Sequence, residues 1–323
     1  MKKVGPFLLI LFLLAGCQTE KLSVPQSMKD ILVISNLKKQ EISFVDLQTG
    51  KLTANDLNFR ITSMEKINPN TIILAGENED SLYRLQLKEG SLTKSVQTGK
   101  GVNEMLYRPK DHLLYFSNGL KNTVGFYDVQ KGKVTDEVKT GKFPNSMALN
   151  ENKNLLYVVN VKGASISVID INTKKELAHF PIVERPEGIF FDGKYVWVGG
   201  HGPYGSLNDN IYVYDPETGK EVDRVKVGVM PVGFYGDASN SYVYAICHGS
   251  SSVYKIDIKN RSTSKPLKVG ANPNDIIGDK HRIYVTSLDG DSLSIIDRTA
   301  FIKSKQILIK NGPHMMVLGD ENE

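Results

Sequence analysis

An acidic residue closes an alternating apolar run at Asp46, Asp128, Asp170, Asp215, Asp257 and Asp297, with Gln86 in the missing second place. The steps between these markers are 40, 42, 42, 45, 42 and 40 residues, so seven units span the chain. A fixed period of this length restricts the fold to a repeat architecture, because each unit must bury its apolar face against its neighbours. Within the unit 144–183, short β-branched and aromatic runs alternate with polar turns: 144–149, 155–160, 165–170 and 176–182. Four short antiparallel strands per unit, joined by tight turns, make a propeller blade. The predicted fold class is therefore all-β, a seven-bladed β-propeller of four-stranded blades.

Columns drawn through the units agree. One first-strand column reads Met64, Met105, Met147, Ile189, Phe234, Ile276 and Met316, and is expected to pack between blades. The column one residue earlier reads Ser63, Glu104, Ser146, Gly188, Gly233, Asp275 and Met315, and should face a central channel, since side chains alternate along a strand. The chain starts with three strands near Ile31, Ile42 and Lys51 and ends with the lone strand 313–318. The N-terminal strands plus the C-terminal strand are expected to close one shared blade and so remove an open sheet edge.

The second strands, such as Leu156-Tyr157-Val158-Val159-Asn160 and Ile283-Tyr284-Val285-Thr286-Ser287, resemble the YVTN-type (YncE-like) propeller repeat. The Val-Gly-x-x-Pro links at 227–231 and 269–273 are similar too. This resemblance covers about residues 30–319. It implies the fold and leaves the activity open, because propellers host unrelated functions.

Residues 1–16 have the form of a signal peptide: Lys2 and Lys3, then an apolar stretch too short to span a bilayer. Leu14-Ala15-Gly16-Cys17 resembles a bacterial lipobox, which implies cleavage before Cys17 and lipidation of its sulfur. The expected domains are 1–16 signal peptide, 17–29 lipidated tether, 30–319 propeller and 320–323 acidic tail. The location implied is the extracytoplasmic face of the cell membrane, held through the lipid anchor. The formal charge is +4, and removing Lys2 and Lys3 leaves +2 with no basic block, which disfavours nucleic acid as a partner. With Cys17 assigned to lipid, Cys247 has no disulfide partner.

The repeated Asp markers precede turns, where a carboxylate accepts backbone N–H bonds, and so belong to construction. Function is sought where units depart from the repeat. The fifth and sixth place His201-Gly202 and His248-Gly249 at equivalent links, with Cys247 adjacent. The fifth also carries the longest second-to-third link, 199–210, with Tyr204 in it. First-strand links bring Arg185, Glu187, Asn103, Asn145, Asn274 and His314 to the same rim. The expected ligand-binding rim is thus His201, His248, Tyr204, Cys247, Arg185, Glu187, Asn145, Asn274 and His314. In the channel column, Glu104 and Asp275 are the carboxylates, in well-separated units that argue against a close pair. No catalytic or metal motif is present, and no cofactor is expected. The leading expectation is a binding module for a protein, a cell-envelope component or a small-molecule ligand. The alternative is a propeller enzyme, lyase- or lactonase-like or associated with haem or quinone, using the His201/His248 rim, and a second alternative, implied by the YVTN resemblance and disfavoured by the charge, is nucleic-acid binding.

Overall fold

The computed structural model describes residues 19–236 and 241–319, so Cys17 and the acidic tail lie outside the described residues. The described chain is built from strands, and no helix in it is long and apolar enough to cross a membrane. The strands form seven antiparallel sheets, each holding the four strands of one blade, with a fifth strand added to one of them. Blade 1 combines Ile31–Asn36, Glu41–Asp46 and Leu52–Asp56 with Pro313–Leu318, which pairs with the first of these through Ile34 and Met316. Blades 2 to 7 follow in order, their first strands beginning at Ile61, Val102, Pro144, Pro186, Pro231 and Pro273. In blade 4 the strands are Pro144–Asn150, Leu155–Asn160, Ser165–Asp170 and Lys175–Pro181, within a residue of the spacing read from sequence.

Second and third strands are buried on both faces because each blade is sandwiched between two others, and they read as nearly continuous apolar runs. The core is accordingly divided into inter-blade clusters. Met64, Met105, Met147, Ile276 and Met316 are buried in these clusters, while Ile189 and Phe234 are partly buried against them. The acidic markers act as turn acceptors: Asp170 takes the N–H groups of Asn172 and Thr173 at 2.8 Å each, and Asp46, Asp128, Asp257 and Asp297 repeat the arrangement.

Part of the segment expected to be a tether is folded onto the propeller. Glu20–Lys21 adds a fifth strand to blade 2, pairing with Leu92 and Ser91 of its outer strand. Leu22 and Met28 are buried in the adjoining core, and Leu22 N–H donates to the Gly90 carbonyl at 2.7 Å. The apolar side chains of a segment that is polar on average find a place under blade 2.

Candidate functional site: the channel mouth and its rim

The seven first strands stand around the channel without a backbone ladder between them. Side chains of the channel column supply part of the link from blade to blade. Met105 N–H donates to Ser63 Oγ at 3.1 Å, and Met316 N–H donates to Asp275 Oδ2 at 2.8 Å. Glu104 accepts the Met147 N–H, and Ser146 donates to the Glu187 carbonyl. Blades 5 and 6 have no side chain at this column. Gly188 lies so close to the next blade that a Cβ there would sit 2.4 Å from the Val232 carbonyl oxygen.

The second-to-third links are held by one repeated bond. In every blade the first link residue donates its N–H to the carbonyl just before the first strand, as in Val161 to Phe143 at 2.9 Å. The same bond places both histidines: His201 N–H to Arg185 at 3.0 Å, and His248 N–H to Met230 at 2.9 Å. Arg185 and Met230 are left-handed, with φ of 50° and 57°, an uncommon conformation outside glycine that the prolines following them also restrict. The rings of His201 and His248 therefore meet, centroids 5.8 Å apart and inclined at 62°. His201 Nε2 lies 3.9 Å from Glu187 Oε2. Arg185 covers the ring of Tyr204 at 4.5 Å, and Tyr204 is 86% exposed.

Inside this rim lies a cavity of about 250 Å³. Asn103, Glu104, Asn145, Glu187, Asn274, Asp275 and His314, expected from sequence, line it together. Glu104 and Asp275 thus share one cavity in spite of their distance along the repeat, because the channel is narrow. A second cavity of about 530 Å³ extends past Glu104, Ile189 and Phe234, which line both, and is walled by Met147, Phe190 and Phe191. The channel has a polar mouth and a more apolar far half, with Glu104 lining both.

Removal from bulk water governs ionisation here. Burial holds Glu104 well above the usual carboxylate range, and like charges on Glu65, Asp275 and Glu187 add to it. Burial raises Glu65 to about 7 and Asp275 to about 6, each opposed by the backbone N–H bonds it accepts. Glu187 is raised by burial and drawn back by Arg185. Burial lowers His248 to about 4, helped by His201 and His314, and lowers His314 to about 4. His201 is also lowered, by burial and then by Arg185. The imidazoles are neutral near pH 7. Nε2 of His248 and Nδ1 of His314 are buried with no hydrogen-bond partner among the described residues.

Cys247, grouped with the rim for its position beside His248, points the other way. Alternation turns it into the core between blades 5 and 6 with Trp197 and Val213, fully buried, and burial pushes its thiol up to about 12. Glu65 and Thr62 were not anticipated. Glu65 is two residues beyond Ser63, hence on the same strand face, and Tyr107 N–H donates to its Oε1 at 2.9 Å. A column taken two residues further along would have found it. Among the described residues, no group of three or more His, Cys, Asp or Glu side chains is arranged to hold a metal ion.

Residues 71–180 match the family model described as "Lactonase, 7-bladed beta-propeller". That stretch runs from the second strand of blade 2 into the fourth strand of blade 4. The chain is similar there to propeller lactonases. Among solved structures, Kuenenia stuttgartiensis hydrazine synthase is similar at 15% identity and a TM-score of 0.72, over 87% of this chain and 97% of that one. The computationally designed Ika8 protein is similar at 12% identity and a TM-score of 0.67, over 92% and 89% respectively. The dihydro-heme d1 dehydrogenase NirN in complex with DHE aligns at 10% identity and a TM-score of 0.64, over 93% of this chain and 77% of that one. At such identities the likeness is one of fold. No curated protein matches the chain.

Proposed function

We propose that the protein is a YVTN-type propeller, lipid-anchored outside the cytoplasm, that binds a small polar ligand at the channel mouth. The observation that carries this reading is the convergence of Asn103, Asn145, Glu187, Asn274, Asp275 and His314 on one cavity of about 250 Å³. A concave site with several convergent polar groups and shifted ionisation is the usual form of a small-molecule site. Amides on three of the seven first strands give neutral donors and acceptors suited to hydroxyl or carbonyl groups. The carboxylates and neutral imidazoles offer no attraction to a polyphosphate, which further disfavours nucleic acid.

Thermal-shift screening of sugars, amino acids and lactones against the full chain tests the binding reading. A shift lost on Asn145→Ala or Asn274→Ala is expected. A ligand that binds with unchanged affinity to both variants would place its site elsewhere. For the anchor, labelled palmitate should enter the wild type and not Cys17→Ser.

The family match over 71–180 favours a second reading, hydrolysis of a small lactone at the same mouth. There the Glu187 and His201 side chains, 3.9 Å apart, are placed to orient and deprotonate a water. Ring opening of model lactones that fails in Glu187→Gln but persists in Tyr204→Ala supports it. No turnover above background by the wild type would remove it.

A further inference from the structure

The mouth cavity alone is small for a ligand site. Its volume of about 250 Å³ falls below the usual range of about 300–1,000 Å³ for small-molecule sites. Glu104, Ile189 and Phe234 line both it and the far cavity of about 530 Å³, and the two joined fall inside that range. The lining changes character along the first strands. In blade 4, Asn145 and Ser146 line the mouth cavity, while Met147, Leu149 and Asn150 line the far one. From Ser146 to Asn150 the strand rises by about 13 Å, room for an extended chain of octyl size. In blade 5 the strand continues as Ile189-Phe190-Phe191, with Phe190 in the place that Glu65 takes in blade 2, so both of its faces turn apolar. Ile189 and Phe234 are only half-buried, whereas Met64, Met105, Met147, Ile276 and Met316 of the same column are buried. Blades 5 and 6 therefore leave apolar surface uncovered where the other blades do not.

We propose that the channel takes an amphiphile end-on, its polar head held at the mouth and an unbranched apolar tail threaded past Glu104 into the far half. This rests on the small-ligand reading of the mouth and names the class of ligand. The lining tells head from tail. Asn103, Asn145 and Asn274 offer amide donors and acceptors to a head. Leu149, Ile189, Phe191 and Phe234 offer a tail only contact and release from water. A tail passing a carboxylate would strip the water from it, a severe cost if the group were charged. Burial and the neighbouring carboxylates favour the protonated form of Glu104, and it accepts the Met147 N–H, so the passage does not demand that cost. Glu151 and Asn152, both exposed, line the end of the far cavity. A chain longer than the cavity emerges there among polar groups and gains nothing further.

Calorimetric titration of the full chain with n-alkyl glucosides, N-acyl glycines and γ-alkyl lactones tests this, with tails growing from methyl to dodecyl and each probe below its micelle concentration. In a series whose head the mouth accepts, each methylene up to about octyl is expected to tighten binding about two- to fourfold, with a plateau beyond. Leu149→Glu puts a charge in the far half and should flatten that slope. Affinity independent of tail length, while the short members bind, overturns the tail site and leaves the mouth reading standing. Tightening that continues through dodecyl, or a slope unchanged in Leu149→Glu, marks adsorption elsewhere and overturns it as well. The wild-type series decides the matter even where the variant fails to fold. If no member of any series binds, the mouth reading itself falls, and the tail site with it.

Discussion

Glu65 accepts the Tyr107 N–H while facing a channel that already holds Glu104 and Asp275. Its folded form favours the proton, so the sign of its contribution to stability is fixed. Relative to its ordinary value of 4.5, the carboxyl is raised to about 7. Its stabilising contribution is complete below pH 4.5 and is lost as pH rises through about 7. Glu65→Gln keeps the acceptor oxygen and removes the titration. Chemical denaturation across this window should show a flatter slope and a more stable variant at pH 8 than wild type; a slope identical to wild type would refute the assignment. His248 and His314 act in the opposite sense, being held neutral. Their contribution is present above 6.5 and is lost as pH falls through about 4, so the wild-type profile is a compromise between the two sets. The histidines were legible in sequence because they break a column. Glu65 was not, because a carboxylate beside Lys66 reads as one more solvated charge.

The link between the second and third strands of blade 5 is longer than its counterparts, yet one residue clasps it. Asn208, only 5% exposed, donates from Nδ2 to the Gly200 and Asn210 carbonyls at 2.9 Å each. Its Oδ1 accepts the Asn210 N–H at 3.0 Å. Asn208→Ala leaves two buried carbonyls and an N–H unpaired, at a cost of about 1–3 kcal/mol, measurable as a lower urea midpoint. It should also raise protease sensitivity at 203–207 and blunt ligand binding, since Asn208 N–H donates to the His201 carbonyl at 3.4 Å. Gly188→Ala belongs to the same scale. Its added methyl meets the backbone of the next blade rather than a movable side chain, and the overpacking should cost about 1–3 kcal/mol. A denaturation midpoint equal to wild type would show that blades 5 and 6 can slide apart cheaply. Strand positions could be read to within a residue because alternation and turn chemistry repeat seven times. The clasp could not, since its partners are main-chain carbonyls whose positions depend on the path of the link.

Seven blades, each incapable of burying its own faces, are held as a ring by a blade made from both ends of the chain. Removing residues 313–323 should therefore do more than shorten a terminus. The channel-side edge of Ile31–Asn36 would lose its partner and Asp275 its bond to Met316. Loss of the cooperative thermal transition, with aggregation, is expected; a truncated chain that melts at the wild-type temperature would contradict the closure argument. The ring and its closure were fully legible, as was the rim on which the histidines fall. The narrowness of the channel, which unites Glu104 with Asp275, was not, because it depends on how closely the glycine positions let the strands approach. Closure also has a consequence in time. The strand that completes blade 1 is made after every other strand of the propeller, whereas its partner is among the first of them. Until then the nascent propeller carries an unsatisfied strand edge in blade 1, and the pairing that ends this state joins Ile31–Asn36 to Pro313–Leu318. Such distant closure is slow, so the immature protein, rather than the finished one, is the form most in need of protection from aggregation.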